Sequence, residues 1–186
     1  MNVDLSDPAS PPRDPSRESG DELPALLARW QRPIYNFAWR YLHNAADAED
    51  IAIETFARWH ENRHALRPGA NVSSWLFSTA ANLCRNRQRW RRRHPEDTDE
   101  LFESIPTGDA SPDRAAQNDE LRLALRAAID ELPSDQKTAL LLHEFEHASC
   151  REIAAVVGCT ERGVETRLYR ARQRLRKSLR HLVPEV

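Results

Sequence analysis

The chain has 186 residues, with 27 Lys and Arg against 29 Asp and Glu, for a formal charge of −2. No window approaches the roughly 18 apolar residues of a membrane span, which excludes an integral membrane protein, and the N-terminus lacks the basic, apolar and small-residue succession of a secretory signal. Three cysteines (Cys84, Cys150, Cys159) without a C-x-x-C pair exclude a disulfide scaffold, and the five glycines are too few for a glycine-rich phosphate loop plus its turns.

Residues 1–21 are rich in Pro, Ser and Asp and read as a disordered acidic tail. A first helix is predicted from about Leu23 to His43, because Leu26, Leu27, Trp30, Ile34, Phe37, Ala38, Tyr41 and Leu42 recur at three and four; Pro33 would kink or split it. Asp47 is read as the N-cap of a second helix running through Ile51, Thr55, Phe56 and Trp59 to about His64, with Glu49 and Asp50 suiting the positive end of its dipole. Arg67-Pro68-Gly69-Ala70 is a turn. Asn71 or Ser73 then caps a third helix, with Trp75, Leu76, Ala80, Leu83 and Cys84 inward, that runs into an arginine block. Residues 94–117 carry Pro95, Pro106, Gly108 and Pro112 among acids, which is linker composition. The chain therefore divides into 22–93 and 118–182, both without strand alternation.

In the second unit, Leu121, Leu125, Ala128, Ile129 and Leu132 mark a helix stopped by Pro133, and Ser134 is read as the cap of the next. Ser149 and Glu152 have the spacing of a capping box, Gly158 permits the left-handed turn that ends a short helix, and Thr160 caps the helix that follows. Helix, glycine turn, helix is a helix-turn-helix signature. With Val164, Leu168, Ala171 and Leu175 inward, Arg162, Thr166, Arg167, Tyr169 and Arg170 fall mostly outward, as a major-groove reading helix requires, and Arg172 to Arg180 could hold phosphates.

The small net charge hides a pattern. Residues 85–93 sum to +6, residues 94–135 to −9 and residues 160–186 to +5. Two basic blocks flank an acidic one, and 25 of the 27 basic residues are Arg, the fork suited to phosphates and base edges. On the third helix Asn82, Arg85, Arg89 and Trp90 mix amide, charge and aromatic surface, the composition that holds single-stranded DNA. The acids Asp47, Glu49, Asp50 and Glu54 on the second helix suit a protein partner as well as capping. His143, His147 and Cys150 are spaced as a metal cluster could be, but no metal site or cofactor is expected.

Three stretches carry a resemblance: D-A-E-D-I-A-I-E-T-F-A-R-W (Asp47 to Trp59), S-W-L-F-S-T-A-A-N-L (Ser74 to Leu83) with the arginine run, and R-E-I-A (Arg151 to Ala154) followed by G-V-E-T-R-L-Y-R-A-R-Q-R-L (Gly163 to Leu175). In these the chain resembles the extracytoplasmic-function (ECF) sigma factors of bacterial RNA polymerase. The resemblance implies an all-α fold of two small helical domains joined by a flexible linker, the C-terminal one with a helix-turn-helix, in a cytoplasmic protein without catalytic residues. The partners implied are core RNA polymerase, through its beta-prime clamp helices and beta flap, promoter DNA and an anti-sigma factor. Carried over by position, Asp47, Glu49, Asp50 and Glu54 face polymerase. Asn71, Asn82, Arg85, Arg89 and Trp90 serve the minus-ten element, with the turn before Asn71 forming part of a flipped-base pocket. Thr160, Arg162, Thr166, Arg167, Tyr169 and Arg170 serve the minus-thirty-five element. Cys150, in place of a common aromatic, and Asn86, in place of a common Asp, depart from the pattern. The alternative is a stand-alone helix-turn-helix regulator, which leaves the N-terminal stretches without a role.

Overall fold

In a computed structural model the structure describes residues 23–65, 71–94 and 112–180. The described residues form seven α-helices and one 3-10 turn: α1 (Leu23–Leu42), α2 (Ala45–Asn62), the turn Arg63–Ala65, α3 (Val72–Arg93), α4 (Pro112–Asp130), α5 (Ser134–Glu144), α6 (Cys150–Val157) and α7 (Glu161–Leu179). The expected tail and the Arg67 to Ala70 turn lie outside them.

The first three helices pack pairwise, and their apolar stripes explain why. Trp30, Ile34, Phe37 and Tyr41 of α1 meet Ile51, Phe56 and Trp59 of α2 and Leu76, Phe77 and Cys84 of α3, all buried. Phe77 joins α3 to α1 through edge contacts at 6.0 Å to Trp30 and 5.6 Å to Phe37. α1 runs without interruption through Pro33, so the expected split does not occur. It ends at His43, which takes the left-handed conformation (φ 53°) and donates its amide to the Trp39 carbonyl at 2.7 Å.

Several predicted caps shift. The cap of α2 is Asn44, whose side chain accepts from the Asp47 amide at 2.9 Å, which puts Asp47 inside the first turn. Asn71, not Ser73, caps α3, accepting from the Ser74 amide at 3.1 Å and from the Ser73 hydroxyl at 2.7 Å. Ser134 does not cap α5: Pro133 (φ −53°, ψ 140°) holds the cap position and there is no side-chain cap bond. α4 begins at Pro112, within the stretch read as linker, with proline in the first-turn position it tolerates.

The helix-turn-helix forms as expected. Ser149 and Glu152 make both bonds of the capping box, Gly158 takes φ 67°, and Thr160 Oγ1 accepts from the Gly163 amide at 3.1 Å. Ile153 and Val164, both fully buried, fill the angle between α6 and α7, and Leu168 packs behind them. Leu140 of α5, Ile129 of α4 and Ala171 of α7 close the other side.

The two groups of helices are not separate bodies in this structure. α3 packs on α6 and α1 on α5. The buried apolar cluster of α1 to α3 continues into Ala139, Leu141 and Leu142 of α5, Ile153 of α6 and Val164 of α7. No helix among the described residues is long and apolar enough to cross a membrane.

Candidate promoter and polymerase surfaces

Helix α7 presents the clearest surface. Its inward positions Val164, Leu168 and Ala171 are buried, which turns Arg162, Glu165, Thr166, Tyr169 and Arg170 outward. Tyr169 is 63% exposed. Its hydroxyl accepts from Gln173 at 2.7 Å, which fixes the ring's direction. Thr166 turns its hydroxyl back to the Arg162 carbonyl at 3.0 Å. Arg170 is exposed and has no hydrogen-bond or ion-pair partner among the described residues. Arg167 is the exception on this face. It is half-buried, donates to the Gly163 carbonyl at 3.2 Å and lies 3.7 Å from Asp135. Arg172, further along, donates to Glu144 of α5 at 2.7 Å, and this bond is the main reason the Glu144 carboxyl titrates below its ordinary value. The arginine run is therefore part clamp and part free surface.

On α3 the polar face is organised in i, i+3 pairs. Arg85 donates to Asn82 Oδ1 at 3.0 Å and Arg89 to Asn86 Oδ1 at 3.2 Å. Arg85 also reaches Asp135 at 3.5 Å. Trp90 is partly exposed and stacks on His94, with centroids 4.8 Å apart and planes 22° apart. Trp75, read as inward, is half-buried against the core. Asn71 spends its side-chain oxygen on the cap, so at this position the structure supplies a helix start in the first instance.

The acids of α2 divide sharply. Asp47 is 6% exposed. Arg87 donates to its Oδ1 at 2.8 Å, and Arg91 sits 2.6 Å from Oδ2. It has no face to offer a protein partner, and it pins the arginine-rich half of α3 against the start of α2. Glu49, Asp50 and Glu54 are exposed, Glu54 paired with Arg58 at 2.7 Å and Asp50 3.5 Å from Arg87. Between them Ile53 stands 70% exposed. Ile53 and Phe56 line a shallow groove between α1 and α2 with Leu27, Tyr35 and Ala52, rimmed by Arg32 and Glu49. The sequence signal for this surface is Ile53 itself, a large apolar residue that falls outside the inward stripe of α2.

With this geometry in place, the comparisons with known proteins are decisive. The family model "Sigma-70 region 2" matches residues 26–94, and "Sigma-70, region 4" matches residues 122–175. The RNA polymerase sigma-H factor of Pseudomonas aeruginosa is 34% identical over 168 residues, covering 86% of this chain and 87% of that protein.

This chain belongs to the ECF sigma factors.

Other relatives agree with that assignment. The ECF sigma factor EcfG of Rhodopseudomonas palustris is 34% identical and covers 75% of each chain. SigW of Bacillus subtilis is 30% identical, covering 87% of this chain and 91% of SigW. Among solved structures, the sigma factor RpoE in complex with the anti-sigma factor NepR from Bartonella quintana superposes with a TM-score of 0.63 at 25% identity, over 84% of this sigma factor and 96% of that chain. CnrH in complex with the cytosolic domain of CnrY has the same fold, with a TM-score of 0.62 at 21% identity over 86% of this chain and 88% of that one. The stand-alone regulator is set aside, because it gives residues 26–94 no role. The chain is an alternative sigma factor that directs transcription initiation, a non-enzymatic activity of its family.

Proposed function

We propose that this sigma factor works in the cytoplasm as a dissociable specificity subunit with three surfaces. The groove of Ile53 and Phe56 with the exposed acids Glu49, Asp50 and Glu54 docks the beta-prime clamp helices. Asn82, Arg85, Arg89 and Trp90 of α3 capture the opened minus-ten strand. Thr160, the cap of α7, with Arg162, Thr166, Arg167, Tyr169 and Arg170 of α7 itself, reads the minus-thirty-five element. The observation that carries the reading is the exposed face of α7, where an aromatic ring, a hydroxyl and an unpartnered arginine stand side by side on a helix held from behind by buried Val164, Leu168 and Ala171.

The mechanism follows from elementary costs. Base unstacking costs a few kcal/mol and is offset by stacking and hydrogen bonds in a protein pocket, which Asn82, Arg85 and Trp90 are chemically equipped to supply. Two modest contacts in one chain act at high effective concentration once the first is made, so neither need be tight alone. Asp47 serves from behind: by fixing Arg87 and Arg91 it sets the direction of the α3 arginine row. That RpoE and CnrH are each solved with a partner of anti-sigma type or its counterpart supports an anti-sigma factor as a further partner here. The test is co-purification with core polymerase followed by footprinting. The expected result is retention on core and protection at both promoter elements. Failure to bind core, or protection of a single element only, would overturn the reading.

A further inference from the structure

Helix α7 spends part of its polar surface on itself. Thr166 gives its hydroxyl proton to the Arg162 carbonyl at 3.0 Å, the Tyr169 hydroxyl is held by Gln173 at 2.7 Å, and Arg167 donates to the Gly163 carbonyl at 3.2 Å. Arg162, Glu165 and Arg170 are exposed on the same helix and make no hydrogen bond or ion pair among the described residues. The two arginines suit a helix that meets DNA. Nothing inside the chain accounts for Glu165. It lies beyond the first turn, where Glu161 already serves the positive end of the dipole. Its i−4 neighbour is that same Glu161, a like charge that slightly destabilises a helix. Its i−3 neighbour is Arg162, and the two do not pair.

A carboxylate on this helix is repelled by the phosphates that flank every groove of DNA. It lowers general affinity and leaves only discrimination to be gained. An ionised carboxylate accepts hydrogen bonds and donates none. In the major groove the guanine edge presents two acceptors, and the thymine edge an acceptor and a methyl group, so neither offers it a donor. Adenine presents N6 beside the acceptor N7, which fits the two-headed amide of Asn or Gln. Cytosine presents its N4 amino group alone. Cytosine is therefore the base that suits Glu165. The guanine paired to it offers O6 and N7 in the same groove, the acceptors that a guanidinium fork meets. Arg162, with its Cβ about 5–6 Å from that of Glu165 as in any i, i+3 pair, brings such a fork alongside.

We infer, on the minus-thirty-five reading proposed above for α7, that Glu165 is a specificity-determining residue that demands a cytosine in that element, with Arg162 on the guanine paired to it. Glu165 acts more by rejecting the other bases than by holding cytosine. Its removal widens the set of promoters and leaves binding itself in place.

The test uses polymerase reconstituted from core enzyme and the full chain. The probe is a library of random-sequence DNA duplexes long enough to span both promoter elements, and the bound duplexes are sequenced. The parent is compared with E165A, E165Q and R162A, and with E161Q, which makes the same charge change one turn away. Glu165 is exposed and without partners, so E165A and E165Q fold as the parent does, which thermal melting checks. The parent is expected to enrich an upstream element with a position where cytosine outcompetes each other base by about tenfold. E165A levels that position and leaves the rest of both elements unchanged. E165Q shifts it towards adenine, R162A weakens the preference at the same base pair, and E161Q changes nothing. An upstream element with no cytosine position that responds to E165A, or an equal response in E161Q, overturns the role of Glu165 and leaves the minus-thirty-five reading standing. Responses of R162A confined to other base pairs overturn its pairing with the partner guanine. A parent enzyme that selects no upstream element overturns the minus-thirty-five reading itself, and the cytosine contact with it.

Discussion

Asp47 is the residue for which sequence and structure disagree most, and the consequence can be measured. Read as a polymerase contact, its loss should weaken core binding and leave folding alone. Buried between Arg87 and Arg91, at 2.8 and 2.6 Å, it should do the reverse. Removing one partner from a fully buried pair costs about 3–5 kcal/mol, because the other charge is left without compensation. Here both guanidiniums keep some water, with side chains 36% and 21% exposed, and Arg87 retains Asp50 at 3.5 Å. The loss for Asp47→Ala is therefore expected at about 2 kcal/mol. For a chain of this size that is a fall in Tm of roughly 4–8 °C. Asp47→Asn, which keeps shape and one acceptor, should fall between the two. Thermal unfolding by circular dichroism measures it, with Glu49→Ala as the comparison: Tm within about 1 °C of the parent but weaker core binding. An Asp47→Ala protein that melts like the parent and loses core affinity would refute the structural assignment.

Three other outcomes follow from the geometry. Arg170→Ala should weaken binding of the polymerase complex to the minus-thirty-five element by about 1–3 kcal/mol, read by competition between promoter variants, if its free guanidinium meets a base edge. Gly158→Ala should cost about 1–2 kcal/mol by chemical denaturation through its φ of 67° alone, since an added Cβ meets nothing within 4 Å; a larger loss would mean a clash that the geometry does not contain. Burial, opposed in part by Asp130, lowers the pKa of His43 below its ordinary 6.5. The unfolded chain therefore binds the proton first. The stability tied to His43 is complete above pH 6.5, falls as pH drops through 6.5, and levels off below the folded value. His43→Asn, which tolerates the left-handed φ, should flatten that slope in melting curves taken from pH 7.5 to pH 5.

What the sequence made legible is what local chemistry determines. Ser149, Glu152, Gly158 and Thr160 each announce their backbone role, because caps and left-handed turns depend on neighbours three or four residues away. The apolar stripes of α1, α3 and α7 announce their inner faces by period alone. Neither the choice of Asn44 over Asp47 as the cap of α2 nor the loss of Ser134 to Pro133 at α5 was legible, since each is a chemically adequate cap position and the helix start is decided by packing further along. The long-range pairs were invisible for a related reason. Asp47 finds Arg87 and Arg91, and Lys137 finds Tyr41, across separations that no window spans. A lone Lys in a polar stretch reads as a solvated side chain, yet Lys137 is fully buried. The acidic middle of the chain was legible as charge but not as place, and the acid that reaches both Arg85 and Arg167 is Asp135, in the first turn of α5.

The central claim is that this chain gives core polymerase a promoter specificity that core lacks. Run-off transcription with core enzyme on a promoter library, with and without the chain, tests it most directly. The account predicts discrete transcripts only when the chain is added, from templates sharing two common sequence elements, and lost when Arg170→Ala is combined with Asn82→Ala. Initiation that is unchanged by adding the chain, or that starts without regard to template sequence, would contradict it.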